Sequence, residues 1–259
     1  MHAMLMYACF ALGLLVSAPI TAAFQAPPSK AGVVFFSGGN ARMPKFLYKD
    51  FVRQLENQNV TVHDASMCST DTELDAMVQG ALEAHETVGL LSHSLGSKRL
   101  VETANFYPQV KNIIMLDPVR SLEKDTHFKH HNTCLMVRAT RAHEFWSSEN
   151  GLKVPFLLGF HLRPRDVALK QGGAGVRVVD ATNYGHVDVC DSELSDFMHA
   201  TRLSEGVEDR AQLPAYRAWM ASLIRAYLAN EPLQLPGEEA QEEVNDNDED
   251  NFMPSDTAF

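Results

Sequence analysis

Leu90-Leu91-Ser92-His93-Ser94-Leu95-Gly96 joins an apolar run, Thr87 to Leu91, to a stretch of helical spacing from about Ser97 to Asn105. A serine placed between a buried strand and a helix sits on a sharp, strained turn. Only small residues two positions to either side avoid collision with the strand and the helix. Ser92 and Gly96 meet that need, with Ser92 standing where the G-x-S-x-G pattern has its first glycine. The turn therefore reads as a nucleophile elbow, and Ser94 as its apex.

Working outward, Gly32 to Phe36 is a continuous apolar run of the kind expected for a strand buried on both faces. Pro44 to Asn57 carries Phe46, Leu47, Phe51, Val52 and Leu55 at helical spacing, and Thr72 to Ala84 carries Leu74, Met77, Val78 and Leu82 likewise. Val60 to Val62, Ile113 to Leu116, Thr133 to Val137 and Val176 to Asp180 read as further strands. Ser192 to Thr201 and Leu213 to Leu228 read as closing helices. This alternation predicts an α/β protein with the α/β-hydrolase fold: a mostly parallel sheet with helices on both faces, over residues 32–230. Residues 141–175 are too long for an ordinary connection and are expected to form a cap over the site.

A serine hydroxyl is a weak nucleophile until a base takes its proton, so a histidine must follow in the chain. Of the eleven histidines, His93 adjoins the serine and would point away from it. His127, His130 and His131 fall in a charged loop and read as solvated. His186 follows the last strand in Asn183-Tyr184-Gly185-His186-Val187-Asp188, where this fold places its base, and Gly185 lets the loop bend. The acid that orients the base comes between serine and histidine in chain order. Asp117 ends the strand after the elbow helix, and Glu144 follows the next strand; spacing leaves the two as rivals, with Asp166 behind them. An oxyanion hole uses the backbone N–H after the nucleophile and one from the turn after the first strand, which map to Leu95 and Gly39.

Composition narrows the partners. Nine acidic residues between Glu238 and Asp256 account for most of the formal charge of -11, so the body is close to neutral. That gives no electrostatic case for nucleic acid. Residues 231–259 read as a disordered acidic tail. Cys68, Cys134 and Cys190 are odd in number and lack C-x-x-C spacing, so neither a disulfide framework nor a zinc site is indicated, and buried free thiols are expected. No metal, cofactor or protein partner is expected.

Three segments together resemble a family. Asn183-Tyr184-Gly185-His186-Val187-Asp188-Val189-Cys190-Asp191 resembles the Tyr-Gly-His-x-Asp-x-Leu-Asp signature of chlorophyllases. Leu116-Asp117-Pro118-Val119 is similar to the segment that carries their catalytic aspartate, and Ser92-His93-Ser94-Leu95-Gly96 to their elbow. The likeness runs from about Gly32 to Ala200 and favours Asp117 over Glu144. It departs at Ser92 for glycine, at Cys190 for leucine, and at Ser37-Gly38-Gly39, where His-Gly is more common. It implies an esterase acting on a lipophilic, chlorophyll-like substrate, with Ser94 attacking the propionyl ester and phytol leaving. Such a substrate is compatible with peripheral contact with a membrane. Phe145, Trp146 and the run Val154 to Phe160 are candidates to line its site. A lipase or carboxylesterase for other lipid esters is the alternative within the fold. An inactive hydrolase-fold binding protein is the alternative outside it.

Met4 to Ile20 is apolar apart from Ser17, and Thr21-Ala22-Ala23 suits signal-peptide cleavage, giving a signal segment over residues 1–23. Ala22-Ala23-Phe24-Gln25-Ala26-Pro27 resembles the junction of bipartite plastid presequences, leaving a short transit-like stub over 24–31. The expected address is a plastid reached through the endoplasmic reticulum, with secretion as the alternative.

Overall fold

A computed structural model describes residues 31–119, 128–130, 133–141, 175–200 and 206–235. The strands are β1 (Ala31–Phe36), β2 (Val60–Asp64), β3 (Thr87–His93), β4 (Asn112–Leu116), β5 (Thr133–Ala139) and β6 (Val176–Ala181). They form one sheet in the order β2-β1-β3-β4-β5-β6, parallel at every pairing. The helices are α1 (Gly38–Ala41), α2 (Lys49–Asn57), α3 (Asp71–Ala84), α4 (Gly96–Phe106), α5 (Ser192–Ala200) and α6 (Leu213–Leu228).

Why the central strand runs are apolar throughout follows from where alternate residues go. Val33, Phe35, Leu91 and Ile114 pack into one core with Phe51, Val52 and Leu55 of α2 and with Tyr216, Met220 and Ile224 of α6. Val34, Phe36, Leu90 and Ile113 pack into a second core with Leu74 and Val78 of α3 and Leu100 and Val101 of α4. Both faces of the sheet are therefore covered, and successive strand residues serve opposite cores.

The helices start where local chemistry favours it. α3 opens on a capping box, in which the Thr70 hydroxyl accepts from Glu73 N at 3.2 Å and the Glu73 carboxylate accepts from Thr70 N at 3.1 Å. The expected single helix over Pro44 to Asn57 is instead a 3₁₀ turn, Lys45–Tyr48, followed by α2. The break falls at Tyr48, whose φ of -129° departs from helix and whose side chain is turned wholly inward. The segment Ser37 to Asn40, read as the turn after the first strand, enters the single helical turn α1.

The folded domain also runs past residue 230. Leu233 is buried in the first core, and the Trp219 indole donates to the Gln234 carbonyl at 3.2 Å. The acidic tail therefore begins later than residue 231, because Leu233 and Leu235 supply apolar surface to α6. β1 likewise starts at Ala31, inside the stub expected over 24–31. The signal segment, the cap apart from Arg141 and Gly175, and the acidic stretch from Glu238 lie outside the described residues.

Two glycines give opposite expectations. A Cβ at Gly96 would collide with the carbonyl oxygens of Phe36 and Ser37, whereas a Cβ at Gly80, on the exposed side of α3, would meet nothing within 4 Å. Gly96→Ala should lower unfolding free energy by about 3 kcal/mol or more, and Gly80→Ala should raise it by about 0.5–1 kcal/mol. Urea unfolding of the two variants beside the parent checks both signs.

Candidate active site

β3 ends at His93, and Ser94 turns the chain with φ at 56°. A left-handed conformation is costly for an L-residue, about 1–2 kcal/mol, so it persists only where neighbours enforce it. Ser94 N donates to the Leu116 carbonyl at 3.1 Å. The Ser94 carbonyl accepts from Ser97 N at 3.2 Å, from Val119 N at 3.2 Å and from the Ser97 hydroxyl at 2.8 Å. Ser92, the substitute for glycine, is fully buried with its hydroxyl 3.2 Å from that of Ser97. The polar substitute is thus accommodated by a polar partner.

Asp117 also lies in the left-handed region, with φ at 39°. Its N–H donates to the Val137 carbonyl at 2.7 Å, and its Oδ1 accepts from Ala139 N at 3.2 Å, so β5 fixes it at the carboxyl edge of the sheet. Its Oδ2 stands 2.5 Å from His186 Nδ1, and His186 Nε2 stands 2.8 Å from the Ser94 hydroxyl. All three side chains are buried. The structure therefore brings Ser94, His186 and Asp117 into one hydrogen-bonded line, while the rivals Glu144 and Asp166 lie outside the described residues. A parallel sheet with a left-handed serine between β3 and α4, an aspartate after β4 and a histidine after β6 is the α/β-hydrolase arrangement.

Around the elbow, Leu95 is the N-cap of α4, a position whose N–H has no acceptor within the helix. On the facing loop Gly38 N donates to the Tyr48 hydroxyl at 3.0 Å. Of the adjacent glycines, Gly39 is thus the one whose N–H is not committed to Tyr48, and its φ of 63° suits glycine. Gly96 lets α4 approach this loop closely enough to touch the Phe36 and Ser37 carbonyls.

The loop that carries His186 is tied down by groups that spacing did not single out. Asp188 is fully buried and accepts from Gly185 N at 2.8 Å, Val207 N at 2.7 Å, the Ser195 hydroxyl at 3.0 Å and Arg210 Nη1 at 3.1 Å. Arg217 of α6, also buried, donates from Nε to the Asp188 carbonyl at 3.1 Å and from Nη2 to the Cys190 carbonyl. A buried aspartate two residues past the base was the one signal in the sequence. Arg217 gave none, since it binds two backbone carbonyls of this loop and, through Nη1, the Asp50 carboxylate 167 positions away at 3.4 Å.

His93 is not a second base. Its Nε2 is 2.8 Å from the His186 carbonyl oxygen and its Nδ1 is 2.9 Å from the Tyr48 hydroxyl. Burial, reinforced by the neighbouring His186, pushes His93 down to about 3. His130, read as solvated, is half-buried, with Nε2 3.0 Å from the Asn105 carbonyl. Among the described residues no group of three or more His, Cys, Asp or Glu side chains is placed to hold a metal ion. Cys68, Cys134 and Cys190 are free thiols, and burial pushes both Cys134 and Cys190 up to about 12.

No family model matches the sequence, and no curated protein matches it. Among solved structures, the esterase domain of a Rhodothermus marinus protein aligns over 79% of this chain and 90% of its own, at 12% identity and a TM-score of 0.44. A structure of the metagenome-derived lipolytic enzymes LipS and LipT aligns over 68% of this chain and 93% of its own, at 11% identity and a TM-score of 0.39. An extracellular α/β-hydrolase from a Paenibacillus species aligns over 36% of this chain and 43% of its own, at 18% identity and a TM-score of 0.27. These are similarities, and the chemistry below rests on the geometry of the site itself.

The depressed His93 has a measurable consequence. Below pH ~6.5 the unfolded chain takes up a proton at His93 that the folded chain refuses until about 3. Its contribution to stability is therefore present above that window and declines as pH falls through it, by up to ~1.4 kcal/mol per pH unit. Urea unfolding at pH 6, 5 and 4 should show a shallower decline for His93→Gln than for the parent. Equal slopes would contradict a neutral buried His93.

Proposed function

We propose that this chain is a serine carboxylic ester hydrolase in which Ser94 is the nucleophile, His186 the general base and Asp117 the acid that orients it. The observation that carries the reading is the buried line from the Ser94 hydroxyl through both nitrogens of His186 to Asp117, at 2.8 Å and 2.5 Å. Asp117 accepts from Nδ1–H, which leaves Nε2 as the acceptor facing Ser94. As Ser94 Oγ bonds to the ester carbonyl carbon, its proton passes to Nε2 and the carbonyl oxygen becomes an oxyanion. The N–H groups of Leu95 and Gly39 are the proposed donors to that oxyanion. His186 then returns the proton to the departing alkoxide, the C–O bond breaks, and an acyl-enzyme remains. Water, deprotonated by His186, attacks the acyl carbon and releases the acid with Ser94 restored.

For the substrate we propose the phytyl ester of chlorophyll, cleaved to chlorophyllide and phytol. The support is the resemblance of Asn183 to Asp191 and of Leu116 to Val119 to chlorophyllase segments. A plastid address reached through the endoplasmic reticulum and peripheral contact with pigment-bearing membranes belong to the same proposal. The proposed hydrolysis routes every proton transfer through a side chain already in the line. The run Val154 to Phe160, with Phe145 and Trp146, expected to line the site, falls outside the described residues.

Side-by-side turnover of purified chlorophyll and a short-chain nitrophenyl ester tests both levels. Phytol release is expected with the pigment, and Ser94→Ala should abolish turnover of both esters, a loss on the order of 10⁶-fold in kcat. Asp117→Asn should cost about 10⁴-fold. Cleavage of the simple ester with no phytol would remove the pigment assignment in favour of a lipase or carboxylesterase. Unchanged hydrolysis in Ser94→Ala would remove the mechanism.

A further inference from the structure

The Tyr48 hydroxyl is met by groups from two separate parts of the chain. Gly38 N donates to it at 3.0 Å from the loop after β1, and His93 Nδ1 faces it at 2.9 Å from the end of β3. Met43 Sδ, on the same loop as Gly38, lies 3.7 Å from it. On its other side, His93 faces the His186 carbonyl oxygen through Nε2 at 2.8 Å.

The proton positions follow from what each group can do. A carbonyl only accepts, so His93 Nε2 carries the ring hydrogen and Nδ1 is an acceptor. Tyr48 therefore donates its single hydrogen to Nδ1 in preference to the more distant Met43 Sδ, and accepts from Gly38 N–H. Every polar group in this buried set is satisfied, which makes the set stiff and costly to break. Its ends matter most: one is the backbone of the base, and the other is the residue preceding the proposed oxyanion donor Gly39.

We propose that Tyr48 and His93 are positioning residues that hold the His186 loop and the Gly38-Gly39 loop in register with Ser94, and thereby set kcat. This rests on the roles proposed above for Ser94 and His186. Both side chains are buried, and each acts by fixing backbone. The ring contacts place these residues close together as well. His93 and His186 lie 4.7 Å apart between ring centroids, Tyr48 and His93 5.6 Å, and Phe35 and Tyr48 5.0 Å.

The test is kcat per active site, counted by stoichiometric titration with a fluorophosphonate, on a nitrophenyl ester. Tyr48→Phe keeps the ring against Phe35 but removes the hydroxyl, and His93→Leu removes both hydrogen bonds. Each should lower kcat per titrated site by about 10- to 100-fold while KM moves less than about two-fold, as expected when only the transition state loses support. His93→Gln, which keeps an N–H for the His186 carbonyl, should recover part of the loss. The Tyr48→Phe/His93→Leu double variant should be no worse than the poorer single one, because both break the same chain. Values of kcat per titrated site within two-fold of the parent would overturn the proposal, as would losses that multiply in the double variant. Failure of the parent itself to be titrated would instead remove the serine mechanism on which the proposal rests. Should the His93 variants not fold, the parent's ¹⁵N spectrum decides: an Nε2–H tautomer of His93 is expected, and Nδ1–H contradicts it.

Discussion

Ser94 is held with φ at 56° because the sheet and the elbow helix leave it no other position. Its amide is anchored to Leu116 of the neighbouring strand, and its carbonyl receives Ser97 and Val119. Strand β3 enters from below, α4 leaves along one face, and Gly96 lets α4 press on the loop after β1. Backbone strain of this kind is stable only when the surroundings over-determine it. The rest of the molecule can be read as the means of that over-determination. Two cores grip the central strands, and a parallel sheet points all of its carboxyl ends at the same edge.

That edge then collects groups from distant parts of the chain. Asp117 arrives from β4 and is fixed by β5, and His186 arrives after β6. The loop bearing His186 contains no regular element, yet it is well determined, because Asp188 accepts from four donors and Arg217 closes on two of its carbonyls. A buried charge is expensive to desolvate, and the Asp188 carboxylate is tolerable here because its four donors include Arg210. The return is a histidine whose ring is set at both nitrogens and whose carbonyl is set by His93.

The sheet was legible because its central strands β1, β3, β4 and β5 carry continuous apolar runs, as burial on both faces demands, while the edge strands β2 and β6 alternate. The elbow was legible from Ser92, Ser94 and Gly96, since sterics alone restrict those positions. His186 could be found from its place after the last strand. Asp117 could not be separated from Glu144 by spacing; the resemblance favoured it, and the hydrogen bond to His186 gives it a physical basis. Tyr48 stayed hidden because helical periodicity spans it, while the actual chain breaks there to turn the ring inward. His93 was set aside as a base on sound grounds, but its contact with the His186 carbonyl joins residues 93 positions apart, which no local pattern records. Leu233 was masked by the acidic composition of the stretch that follows it.

The central claim is covalent catalysis by one residue, and it is tested most directly by catching the intermediate. A nitrophenyl ester mixed with the protein, quenched in acid within the first turnovers and analysed by peptide mass spectrometry, should show the acyl group on the peptide containing Ser94. The adduct should vanish in Ser94→Ala. Steady hydrolysis with no acyl-enzyme at Ser94, or with the acyl group on another residue, would contradict the account.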